Sequence, residues 1–132
     1  MTQDIQTKLR LSGARRALLL GAPVGYLSAL GSLPAGLRLE VAVQGEYDFV
    51  QAFVTKLSEL ERELPIILAA ATTNALLWLC YPKAGHGITT DLNRDIIRES
   101  VEGHTTWRCV TQVAIDATWS ALRLRPRELV GH

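Results

Sequence analysis

Apolar residues recur along this chain in two rhythms. Short runs are continuous or alternate at period two, and between them lie segments with apolar residues at three- and four-residue spacing. The most informative stretch is Leu76–Asp95. Leu76–Tyr81 is a continuous apolar run bounded by turn residues, the pattern of a strand buried on both faces of a parallel sheet. Pro82 and Lys83 leave it, and a loop bearing Gly85, His86 and Gly87 follows. Thr90 or Asp91 then caps a helix to Val101, with Leu92, Ile96, Ile97 and Val101 as its buried stripe and Gly103 as its end.

The same reading covers the rest of the chain. Ala17–Gly21 is a first strand, followed by a Gly-x-Pro-x-Gly turn (Gly21, Pro23, Gly25) and a short helix over Tyr26–Leu30. Leu37–Val43 alternates and predicts a second strand with Leu37, Leu39, Val41 and Val43 on its inner face. Tyr47–Val54 also fits a helical stripe, but its aromatic and β-branched content favours a strand. A helix follows with Leu57, Leu60, Leu64, Ile67, Leu68 and Ala71 inward. Pro65 kinks or divides it, and Thr72–Asn74 ends it. The chain closes with a hairpin: Trp107–Asp116, a turn at Ala117–Thr118, and Trp119–Arg125, with Leu122 and Leu124 on one face and Trp119, Ala121, Arg123 and Arg125 on the other. The prediction is an α/β fold, a three-layer Rossmann-like sheet that is mostly parallel and ends in an antiparallel β-hairpin.

Composition places limits on function. The 132 residues, 48% hydrophobic and 20% charged, describe one globular domain at 17–132 behind a basic N-terminal arm at 1–16. The arm carries Lys8, Arg10, Arg15 and Arg16 against Asp4 alone, whereas Ala17–Pro82 holds three basic and six acidic residues. The net charge of +1 gives no general reason to expect nucleic acid, and contact through the arm is the lesser reading. The longest apolar run, Leu64–Ala71, is too short to span a membrane, and a cytoplasmic protein is expected. Cys80 and Cys109 lie in separate strands without metal-ligand spacing, which predicts free buried thiols and no metal site.

Two groups of residues carry candidate chemistry. Lys83, Gly85, Gly87, Thr90, Asp91 and Arg94 would form an anion site: glycines admit a ligand to the backbone, helix amides point outward, and Lys83 and Arg94 add charge. The alternative is an ordinary capped helix with Lys83 and Arg94 paired to Asp91 and Asp95. Gly21 and Gly25 would line the same pocket, because both loops leave the same edge of the sheet. The second group is Asp116, Trp119 and Arg123 at the hairpin turn: Asp116 as a base or as a holder of Arg123, or else as a turn acceptor beneath a packed Trp119. His86 in the glycine loop and His104 after Gly103 have no nucleophile or acidic partner at recognisable spacing, so no catalytic triad is predicted.

Two resemblances follow from these residues. Tyr47–Phe53, a helix, Leu76–Pro82, a helix and a terminal hairpin resemble the C-terminal half of a class I S-adenosylmethionine methyltransferase, with Leu18–Tyr26 where that family carries its glycine motif. The resemblance implies S-adenosylmethionine as the cofactor to test. Pro23 stands where the motif would have a glycine, Leu18–Leu20 where it would have an acid, and the N-terminal half is short by at least one β-α unit. Tyr81-Pro82-Lys83, Thr90–Asp95, Trp107-Arg108 and Asp116-x-x-Trp119-Ser-Ala-Leu-Arg123 together resemble a small bacterial domain family of unknown function. The expectation is a non-catalytic binding or interaction module without a cofactor, with a homodimer as a candidate assembly. The alternative is an enzyme or ligand-binding protein holding a small anionic or nucleotide-like molecule at Gly21–Gly25 and Lys83–Arg94.

Overall fold

The first strand, β1 (Arg16–Leu20), follows a short helix, α1 (Ile5–Leu9), and a single 3-10 turn at Leu11–Gly13. The chain continues through α2 (Tyr26–Leu30), β2 (Arg38–Glu40), β3 (Tyr47–Phe53), α3 (Leu57–Ala70), β4 (Ala71–Pro82), α4 (Arg94–His104), β5 (Trp107–Ala114) and β6 (Trp119–Pro126). This computed structural model describes residues 4–85 and 87–130; His86 lies outside them.

The strands form one six-stranded mixed sheet in the order β2-β1-β3-β4-β6-β5. The first four run parallel, and β6 and β5 complete the sheet antiparallel. Each face holds its own core. Leu18, Val50, Leu77, Leu79, Leu122 and Leu124 pack with Leu60, Leu64 and Ile67 of α3 and Ile97 and Val101 of α4. The opposite face joins Leu19, Phe49, Trp78, Cys80 and Trp119 to Leu9, Leu11, Tyr26 and Leu30. This alternation is the period-two pleat read directly from the sequence.

Several boundaries differ from those the pattern predicts. β2 ends at Glu40, and Val41 and Val43 are 65% and 42% exposed rather than facing inward. Both follow the end of β2, and among the described residues no strand lies outside it in the sheet order. β4 begins at Ala71 rather than Leu76, so Thr72–Asn74 are strand residues, and α3 passes into β4 without a loop. Pro65 sits inside an undivided α3. Its missing N–H leaves the Glu61 carbonyl without its helical donor, a loss tolerated where the helix borders an open cleft lined by both residues. β5 stops at Ala114, so Asp116 belongs to the turn.

The segment read as an arm is anchored. Leu9 and Leu11 are fully buried, and the Trp78 indole Nε1 donates to the Leu9 carbonyl at 3.0 Å. The stretch also fits a short helix, which is found at Ile5–Leu9, and two leucines and one buried indole hold it to the sheet.

The start of α4 is the largest change. Asn93, not Thr90 or Asp91, is its N-cap, accepting from the Ile96 amide at 2.9 Å, and the helix runs through Gly103. Asp91 instead caps α3, accepting from the Leu57 amide at 2.8 Å, while Thr90 Oγ1 donates to the Thr55 carbonyl at 2.6 Å. The loop before α4 is thus fastened to the first turn of α3. Losing a helix cap costs about 1 kcal/mol, so Asp91→Ala and Asn93→Ala should each destabilise the fold by about that much in urea unfolding, although Asp91 lies outside either helix.

Candidate functional site

The cleft best placed for a ligand opens at the carboxyl end of β1, where open α/β sheets bind ligands. It encloses about 420 Å³ and is lined by Leu19, the loop Gly21–Gly25, residues 26–28 and Val41. Gly21 adopts φ +68°, and a Cβ there would stand 2.8 Å from the Phe53 carbonyl oxygen, so only glycine lets the loop cross β3 this closely. Gly25, at φ +86°, starts α2 and meets nothing within 4 Å.

Its side chains are mostly apolar, with Ser28 and Tyr26 the polar ones and loop backbone exposed between them. Tyr26 is its one titratable residue, and burial raises that hydroxyl's pKa. Below it lies a closed polar group: Gln51, 1% exposed, donates from Nε2 to Tyr26 Oη at 2.7 Å and to Cys80 Sγ at 3.4 Å. Burial pushes the Cys80 thiol up to about 12 and Cys109 up to about 11, so both are poor nucleophiles at neutral pH. Both cysteines are free, and they belong to the cores on opposite faces of the sheet.

The second predicted half of the site does not join this cleft. Lys83 turns towards the hairpin: its Nζ donates to the Asp116 carbonyl at 2.8 Å and its amide to the Thr118 carbonyl at 2.7 Å. Thr90 and Asp91 are engaged with α3, as described above. Gly85 and Gly87 are exposed and adopt positive φ. Arg94 lines a separate shallow cleft with Asn93, Asp95 and Gln112, its Nε 3.9 Å from Asp95. Of the residues grouped by sequence, Gly21 and Gly25 share a cleft and the others are dispersed.

At the hairpin, Asp116 Oδ1 accepts from the Thr118 and Trp119 amides, both at 2.8 Å. Trp119 is buried with its ring edge-on to Phe53, centroids 5.0 Å apart. Arg123 lies in the middle of β6, opposite Trp78, away from the turn that holds Asp116. His104 ends α4 with Nδ1 2.9 Å from the Ser100 carbonyl, and it shares with Glu61 and Pro65 a cleft between α3 and α4. Among the described residues no group of three or more His, Cys, Asp or Glu is arranged to hold a metal, and no helix is long and apolar enough to cross a membrane.

Sequence reasoning missed Arg16. From the first position of β1 its Nε and Nη2 donate to Glu40 at 3.2 and 3.1 Å, Nη1 donates to the Glu46 carbonyl at 3.0 Å, and Nη2 also reaches the Gln44 carbonyl. The guanidinium lies 4.4 Å from the centre of the Tyr47 ring, and Tyr47 Oη donates to Glu40 at 2.6 Å. Gly45 lies beside it at φ +111°, a backbone conformation that favours glycine. The acidic group nearest in sequence to the cleft, Glu40, is therefore committed to this knot.

No family model and no curated protein matches the sequence. Solved structures do resemble the fold. The mitomycin 7-O-methyltransferase MmcR superposes with a TM-score of 0.66 at 14% identity, over 92% of this chain and 52% of that one. The DhpI–SAH complex gives 0.58 at 10% identity, over 92% and 82%. The Bacillus subtilis m1A22 tRNA methyltransferase TrmK gives 0.53 at 14%, over 96% and 66%. The chain thus spans about half the length of MmcR, and the likeness shows a methyltransferase-like fold.

The Arg16 hydrogen bonds, then that of Tyr47, hold the Glu40 carboxyl below its ordinary value of 4.5. A depressed carboxylate contributes stability that is fully present above the unfolded value and fades as pH falls through the folded one. Glu40→Gln should therefore melt below the parent protein at neutral pH, with the difference shrinking below about pH 4.5; an undiminished gap in acid-range thermal melts would refute this origin.

Proposed function

We propose that this chain is a non-catalytic binding module on a methyltransferase-like sheet. The observation that carries the reading is the character of the β1 cleft. It occupies the ligand position of an open α/β sheet, yet its walls offer no carboxylate, ammonium, guanidinium or imidazole. General acid–base catalysis needs a titratable group within reach of the reacting atoms, and Tyr26, the one present, is turned to Gln51 with its pKa raised.

The cleft is suited to apolar contact. Val24 is fully exposed, Leu27 is half exposed and Val41 is exposed beside them, and the three residues line one concavity. Contiguous exposed apolar surface of this kind marks interaction sites. We assign its occupant as a second copy of the chain, because β2 is an edge strand of three residues next to this rim and its outer backbone groups are open to pairing.

A second reading has specific support: one structural neighbour is a complex with SAH, and Gly21 brings backbone close to the cleft. On that reading the cleft holds S-adenosylmethionine. Calorimetric titration with S-adenosylmethionine separates the two. The expected result is no saturable heat; saturable binding that is weakened by Leu27→Asp would establish the cofactor reading instead.

Sedimentation velocity at rising protein concentration tests the assembly. A dimer is expected that Leu27→Asp dissociates, while Val110→Asp on the opposite edge strand does not. A monomer at every concentration would remove the second copy as the occupant.

A further inference from the structure

The outer half of the sheet, on the face opposite α3 and α4, carries a second feature that depends on neither the cleft nor the dimer. Arg108 on β5 is paired directly with Arg125 on β6. Their neighbours Cys109 and Leu124 belong to the α3–α4 core, so the two arginines emerge on the other face. Arg123, two residues before Arg125, shares that face and is flanked by Trp78 on β4 and Thr111 on β5. The indole of Trp78 holds the Leu9 carbonyl, which places Arg10 over the same stretch of sheet.

Arg10 is held there by the fold. It is the one described non-glycine residue with positive φ, at 62°, and its amide closes α1 onto the Thr7 carbonyl. Lys8 Nζ donates to the Ala114 carbonyl at 2.9 Å, tying α1 to the hairpin as well.

Among the described residues these cations make no ion pair: the pairs involve Arg16, Arg38, Arg62, Arg94 and Arg98, and none of Arg10, Arg108, Arg123 or Arg125. Arg123 Nε is buried with no hydrogen-bond partner. Burial first, then the charges of Arg10 and Arg125, lower the Arg123 pKa, which places these guanidinium groups within electrostatic reach of one another. Asp48 shares a cleft with Arg10 but spends its oxygens on the Arg15 and Arg16 amides. Like charges directly opposite in a sheet are destabilising, and a buried unsatisfied donor adds a further penalty. An oxyanion beside these guanidinium groups relieves the repulsion.

We propose that Arg10, Arg108, Arg123 and Arg125 form a binding site for a phosphate group on the hairpin face of the sheet. Guanidinium forks match the paired oxygens of phosphate, and several converging forks favour a multiply charged group over a single carboxylate. The phosphate comes either from a small free phosphate compound or from a nucleic-acid backbone. No aromatic side chain with an exposed ring belongs to the cluster, so a strand bound here is held through its backbone rather than by base stacking.

The test is calorimetric titration at low salt with two probes, inorganic pyrophosphate and a short single-stranded oligonucleotide. Saturable binding is expected, weakened about tenfold or more by Arg123→Gln, Arg125→Gln or Arg10→Asn, since a charge-assisted hydrogen bond contributes on this scale. Arg10→Asn keeps a residue that tolerates the left-handed backbone. Arg62→Gln, which removes an equal charge from α3, should leave affinity unchanged. Tighter binding of pyrophosphate identifies a free phosphate compound as the source; tighter binding of the oligonucleotide identifies the backbone. The proposal is overturned if neither probe binds, if Arg62→Gln weakens binding equally, or if a polyglutamate peptide binds as well as the phosphate probes. A second readout guards against misfolding: without ligand, Arg125→Gln should melt at or above the parent temperature, because a repulsion has been removed. A clear drop in melting temperature would make Arg125 a packing element and also overturn the proposal.

Discussion

β4 must be apolar on both faces and paired on both edges, and the rest of the structure is arranged to meet that demand. Leu77, Leu79 and Tyr81 need the α3–α4 layer, while Trp78 and Cys80 need the layer that contains α1 and α2. β3 pairs with it in parallel and β6 antiparallel, so both rows of its backbone groups are satisfied. Burying one large apolar side chain contributes about 1.5–3 kcal/mol, and this strand buries several in succession. The N-terminal segment is held by the same demand, since Leu9 and Leu11 belong to the core that covers Trp78.

Much of what reads as chemistry in the sequence is used to hold elements together. The Lys83–Arg94 loop has glycines, cations and a helix start, yet Lys83 fastens the hairpin turn, and Thr90 and Asp91 fasten α3. Arg16, Glu40 and Tyr47 knot the β2–β3 connection at the edge of the sheet. A polar side chain beside a loop is drawn to whichever unsatisfied backbone group the fold brings near, and helix ends supply such groups. The residues left over are the informative ones: an apolar rim with nothing beside it, and four arginines that make no ion pair among the described residues.

The architecture was legible because it rests on periodicity. The alternation of β6 sorted Leu122 and Leu124 from Trp119, Ala121 and Arg123 as the structure does. The spacing of Leu60, Leu64 and Ile67 identified the inner stripe of α3, and the short helix Tyr26–Leu30 was bounded by its glycines. The candidate site was legible only at Gly21 and Gly25. Its other members were grouped by nearness in sequence, whereas Lys83, Thr90 and Asp91 are held by Asp116, Thr55 and Leu57, each more than thirty positions away.

The sequence by itself determined the inward-facing residues of β4, β6 and α3, the mixed α/β class and the closing hairpin, because hydrophobic spacing encodes burial locally. Tertiary structure decided where strands and helices stop, which helix Asp91 caps, and which cations are paired. Those outcomes depend on groups brought together across the sheet: Asp91 reaches the Leu57 amide of α3, and the segment before Arg10 is held over the sheet because Trp78 binds the Leu9 carbonyl. Distance along the chain carries no record of such meetings. They arise once the sheet has formed and each buried or half-buried polar group has found a partner or been left without one.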